Sequence, residues 1–187
     1  EARRDYVAAF AGQLATTPEL QRSLESSLRV PLDELFDQWL RQPGYPTVRV
    51  RVEPARRDRD PVRFVITQES PGQPYTGLLP VSIDQPGGEP YRDNADLEGG
   101  EYAFPAFDGQ RMRVDPALTT LRRIQPEPAG DVDLTGVGDG RDYLDVLFWQ
   151  GLAAPEPAFD DQLDTNGDGR VDDQDLRSVR ERFGDGW

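Results

Sequence analysis

The sequence predicts an α+β fold: a short N-terminal helical segment, an antiparallel β-sandwich, and a small C-terminal α module. Three observations predict it. The apolar period changes abruptly from about 3.6 to 2 after Pro46. Short alternating runs then follow one another, separated by turn-forming stretches such as "SPGQP" and "QPGGEP". The last third of the chain is acidic and contains an internal repeat.

The first 45 residues read as helices. In "RRDYVAAFAGQLA" the apolar residues Tyr6, Phe10 and Leu14 recur every four positions. In "TTPELQRSLESSL" Thr17 is placed to cap, Pro18 suits a first turn, and Leu20, Leu24 and Leu28 form a stripe. A third helix, "PLDELFDQWLRQ", sets Leu32, Leu35, Phe36 and Trp39 on one side and stops at Pro43-Gly44. All three stripes need a neighbour to cover them.

Strands follow. "TVRVRVE" alternates Val48, Val50 and Val52 with Arg49 and Arg51, as a half-buried strand does. "VRFVITQ", "GLLPVSI", "EYAFPAF", "QRMRVD" and "TLRRI" make five or six short strands in all, which predicts an antiparallel sandwich or small barrel. The basic stretch "ARRDRD" is interleaved with Asp58 and Asp60 between two strands, so it reads as a solvated hairpin loop rather than a nucleic-acid patch. "QPEPAG", residues 125–130, breaks regular structure and separates sandwich from tail.

Charge narrows the chemistry. Residues 131–187 hold 15 Asp/Glu and 5 Arg, whereas residues 1–130 hold 20 and 16, so most of the net −14 lies in the tail. Such a field disfavours nucleic acid and anionic membrane surfaces and favours divalent cations. The chain has no Cys and no His, which excludes disulfides, thiolate and imidazole ligands, and a histidine base. A bound metal must be held by oxygen, as calcium and magnesium are. No apolar run approaches the roughly 20 residues of a membrane span. "EARRDYVAAFAGQL" lacks the apolar core of a signal peptide, so any secretion signal is expected upstream of it.

The register of the repeat decides its meaning. "GDGR" occurs at 138–141 and 167–170, but aligning those copies would put Thr135, Val137 and Val146 at ligand positions. An offset of 33 instead yields two twelve-residue calcium loops. The second offers Asp164, Asn166, Asp168, the carbonyl of Arg170, Asp172 and Asp175, with Gly169 at the sharp bend and Val171 as the apolar link to its twin. The first offers Asp131, Asp133, Thr135, the carbonyl of Val137, Asp139 and Asp142, with Gly136 at the bend. Two calcium ions are expected, the first loop being the weaker because it has a hydroxyl at position 5 and Gly138 at the link. Packed carboxylates repel one another unless a cation lies among them.

A helix follows each loop. In "DLRSVRERFG" Leu176, Val179 and Phe183 form one stripe; "DYLDVLFWQGL" carries more apolar residues than one face holds. Some of these must meet the sandwich or another protein, the in-chain contact being favoured. A module this small depends on its ions for stability, and chelation is expected to unfold residues 130–187 and leave the sandwich standing.

Two loop-then-helix units in tandem, with Asp at position 12 and Pro/Gly-rich stretches ("PEPAG", "APEPAFDDQ") in place of entering helices, resemble a dockerin module across residues 130–184. The resemblance implies a calcium-dependent, EF-hand-like module that binds a cohesin-like or other protein partner, largely through loop positions 10 and 11. Here these are Gly140-Arg141 and Asp173-Gln174, not the small hydroxyl pair common in that family. "LDELFDQWLRQPGYPTVRVRV", with "VRFVITQ" and "MRVDPALTTLRRI", resembles the region of aminopeptidase N-like zinc peptidases, the gluzincins, where the helical catalytic domain ends and a β-sandwich follows. The match covers about residues 5–124 and is most diagnostic around Trp39, Gly44 and Pro46.

Together these imply a helical remnant of the catalytic domain (1–45), a β-sandwich (46–124) and a dockerin-like module (130–187), from a secreted, extracellular or periplasmic metallopeptidase. That family's zinc is held by a His-Glu-x-x-His helix, so this chain holds no zinc and no catalytic residue. One alternative is a non-enzymatic protein whose sandwich recognises a ligand such as carbohydrate, its calcium being structural. A calcium sensor is the least favoured reading, since sensors expose Met-rich grooves and Met112 lies far from the loops in sequence.

Overall fold

A computed structural model describes residues 2–12, 14–53, 61–85, 87–104, 111–115, 122–156 and 158–184. The protein is a mixed α+β chain, with two sheets and five α-helices among the described residues, and it divides into two compact units. The first comprises Glu1–Gly44 with Pro71–Gln73, and the second Tyr45–Ser70 with Pro74–Trp187. The "ARRDRD" loop lies outside the described residues.

In the first unit the first helix is shorter than its stripe suggests. α1 (Ala2–Ala9) brings the Tyr6 and Phe10 rings to 5.0 Å, but Leu14 lies beyond its end and is fully exposed. The residue capping α2 (Thr17–Leu28) is Thr16 rather than Thr17, because Glu19 accepts from both the Thr16 N–H and its hydroxyl, at 2.7 and 2.8 Å. α3 (Asp33–Phe36) passes into a π-helical turn over Asp37–Arg41, closed by the Gln42 N–H on the Asp37 carbonyl at 2.9 Å. Of the expected stripe Phe36 is buried, while Leu35 stays half exposed. Gln21 ties these elements together. It donates to Glu25 and Asp33 and accepts from Arg41.

The second unit holds both sheets. β1 (Thr47–Glu53) pairs antiparallel with β2 (Val62–Glu69), and Val48, Val50, Val52, Phe64 and Ile66 are buried on alternate positions. On the solvated face Arg49 reaches Glu69 and Glu127, which flank it across neighbouring strands. β3 (Leu78–Ile83) buries Leu79, Val81 and Ile83 and pairs with β4 (Tyr91–Asp96). β5 (Gly100–Phe104) pairs with β2, and β6 (Met112–Val114) with β3.

β7 (Arg123–Glu127) departs from expectation in place and direction. It lies parallel to β1, so the pairing is not antiparallel throughout, and it runs through Pro126 opposite Val50. The break expected at 125–130 therefore begins only after Glu127. Pro126 is tolerated because β7 is the edge strand in the order β5-β2-β1-β7, where a missing N–H breaks no interior ladder. The other sheet has the order β4-β3-β6.

The same unit ends in two helices, α4 (Gly140–Phe148) and α5 (Asp173–Glu181). Val132, Val146, Leu163, Val171, Leu176 and Val179 form one buried cluster between them, with Tyr143 and Phe159 packed against it. This tail is not set apart from the sheets; it belongs to the same compact unit.

Candidate metal centre

Each acidic loop folds around its first carboxylate. Asp131, fully buried, accepts from the Thr135 N–H at 2.8 Å and the Gly136 N–H at 2.9 Å. Asp164 likewise accepts from Gly167, Asp168 and Gly169, at 2.6, 3.1 and 2.9 Å. The bend is made by Gly136 and Gly169, with φ of 93° and 85°, a conformation that disfavours any residue with a Cβ. Position 4 is left-handed in both copies as well, at Leu134 and Gly167.

The last carboxylate of each loop closes the ring. Asp142 accepts from the Asp133 N–H at 3.1 Å and the Asp139 N–H at 2.7 Å, and Asp175 from Thr165, Asn166 and Asp172. Position 9 is also the helix cap: Asp139 accepts from the Arg141 N–H and Asp172 from the Gln174 N–H, so each helix starts from the loop that precedes it.

The two loops differ in what they gather. Asp131, Asp133 and Asp142 are all buried, and each offers an oxygen within 4.8 Å of the others. Among the described residues none of the three forms an ion pair. Burial first, then repulsion from Asp133, pushes Asp131 up to about 7 and Asp142 up to about 8. Oxygen-only donors, mutual repulsion and desolvation together describe a set of residues that fits a hard divalent cation. Thr135 adds a hydroxyl beside Asp131, and the Val137 carbonyl lies 3.4 Å from that hydroxyl.

In the second loop no group of three carboxylates converges among the described residues. Asp164 and Asp175 are buried, but Asp168 accepts from Asn166 and from the Arg170 N–H, and Asp172 is occupied by its cap. Arg123, from β7, places its guanidinium where a Cβ on Gly167 would stand, and its charge pulls against the desolvation that raises Asp164. The two loops thus differ in donor type: the first brings three carboxylates together, whereas the second has the Asn166 amide at position 3.

Val171, at position 8, is buried in the cluster that includes Val132 of the first loop, and position 8 also takes part in a crossed backbone pairing. The Val171 carbonyl accepts from the Gly151 N–H at 2.8 Å, and the Gly138 carbonyl from the Gly184 N–H at 2.9 Å. Gly151 and Gly184 are themselves 33 residues apart, so each loop is latched by the turn that ends the other copy's helix. Gly138 is there for space: a Cβ would meet the Arg182 carbonyl at 3.1 Å.

Sequence reasoning missed the residues that join this centre to the sheets. Asp161 accepts from Arg122 and, at 2.7 Å, from the Ile124 N–H; burial pushes it up to about 6, against the pull of Arg122. Gln162 is buried, accepts from the Val114 N–H and donates to the Val132 carbonyl. In "DDQLD" these read as loop polarity, with no periodic signal to single them out. On α4 the surplus apolar residues divide: Val146 is buried, Trp149 lines a cavity with Arg111, Arg113 and Phe159, and Leu144, Leu147 and Phe148 are exposed. No family model matches the chain, and no curated protein matches it.

Proposed function

We propose that this chain is the non-catalytic C-terminal region of a secreted gluzincin-like metallopeptidase, in which the two sheets form a β-sandwich and residues 130–184 a dockerin-like pair of calcium loops. The module's role is to attach the protein to a partner or to stabilise its end. The convergence of Asp131, Asp133 and Asp142 in a buried site without ion pairs carries the calcium reading. The exposed face of Leu144, Leu147 and Phe148, which begins beside Gly140 and Arg141, supports attachment to a protein partner. The chain has no His, so it supplies neither zinc ligands of the peptidase kind nor a histidine base.

When bound, calcium would offset two of the three carboxylate charges and so favour the ionised forms in a dry site. The residues that would hold it are Asp131, Asp133, Thr135, the Val137 carbonyl, Asp139 and Asp142 in the first loop. Asp164, Asn166, Asp168, the Arg170 carbonyl, Asp172 and Asp175 would hold it in the second. Titration calorimetry with calcium chloride on the full chain tests this: saturable uptake is expected, and Asp133→Asn should weaken the first site by about tenfold or more, about 1.4 kcal/mol. Absence of any uptake at millimolar calcium would remove the reading.

A further inference from the structure

β6 is three residues long and lies at the open side of the sheet ordered β4-β3-β6. An open strand edge presents N–H and C=O groups that need partners. Here the partners come from the tail. The Met112 N–H donates to the Asp133 carbonyl at 2.9 Å, the Val114 N–H to Gln162 Oε1 at 3.1 Å, and the Val114 carbonyl accepts from Arg122 at 3.3 Å. Arg122 is in turn bound by Asp161 at 3.2 Å.

Asp133 therefore faces two ways. Its carboxylate belongs to the buried trio, its N–H donates to Asp142, and its carbonyl covers the strand edge. Gln162 repeats the connection, because its amide donates to the carbonyl of Val132, the residue between Asp131 and Asp133. One peptide segment, residues 131–133, thus belongs at once to the candidate calcium loop and to the edge of the sheet.

We infer that the first acidic loop is a cation-dependent cover for the open edge of β6, so that filling the loop and closing the edge are one equilibrium. This rests on the calcium reading above. Because coupling of this kind is reciprocal, whatever loosens the edge must weaken cation uptake by the same factor.

Amide hydrogen exchange on the full chain, in calcium and then in excess EGTA, tests it. Chelation is expected to speed exchange at Met112 and Val114 by about tenfold or more, in parallel with Thr135 and Gly136. Release of Thr135 and Gly136 with Met112 and Val114 unchanged would overturn the coupling while leaving the calcium reading intact. Failure of the chain to take up calcium by calorimetry would remove both. Gln162→Ala gives a second arm: in calcium the Val114 amide should be released and calcium affinity should fall several-fold. A freed amide with unaltered affinity would contradict the proposal.

Discussion

Asp142 completes the capping box of α4 from its third residue and also belongs to the buried trio, so its charge is held in a buried place. With no cation beside it, that charge is unfavourable, which is why Asp142 and Asp131 are pushed up to about 8 and about 7 from an ordinary 3.8. The folded, metal-free chain then binds more protons than the unfolded chain between about pH 4 and pH 8, so its stability must fall as pH rises through that window. Thermal melts in EGTA should show a melting temperature that declines from about pH 5 to pH 8. Asp142→Asn should flatten that decline in EGTA and reduce the rise that calcium gives the parent chain. A variant with the parent's full pH slope in EGTA would contradict this account. At this scale the sequence was informative about which residues are acidic and how they are spaced. It was silent about which of them converge, because convergence depends on what else approaches: Arg123 enters the second loop from a distant strand, whereas the first holds its three carboxylates without an ion pair.

Along α4 the difference between structural and interactive residues is a matter of two positions. Val146 is fully buried in the cluster that joins the two helices, while Phe148, at 76% exposure, faces solvent with Leu144 and Leu147. Val146→Ala should cost about 2 kcal/mol through lost burial and the space left behind. Phe148→Ala should stay within about 0.5 kcal/mol, as read from urea unfolding in calcium. Equal losses would mean that the helix packs the other way round. Elements were legible where one face is uniformly apolar, as in β1, whose Val48, Val50 and Val52 alternate without exception. β4 went unread because "YRDNAD" offers only Ala95 to the core. In the third helix the π-helical turn over Asp37–Arg41 went unread, since no apolar period announces it.

At the scale of the molecule, what the sequence concealed is long-range. The repeat with an offset of 33 could be found from ligand spacing alone, and the change of period at Pro46 separated helices from strands. The parallel return of β7 beside β1 could not be found that way, nor could the dependence of β6 on residues 131–133 and 162. These arise from pairings between segments far apart in the chain, each made by ordinary residues such as Met112 and Gln162. The tail therefore belongs to the same compact unit as the sheets, although composition alone separates it from them at residue 125.

The crossed latches give the few residues after α5 an influence out of proportion to their number. Gly138 is held by the N–H of Gly184, so shortening the polypeptide by its last four residues removes a clasp from a turn encoded far upstream, and leaves the later turn's own clasp, at Gly151, untouched. Damage at the tip would be felt first by the more distant of the two rings.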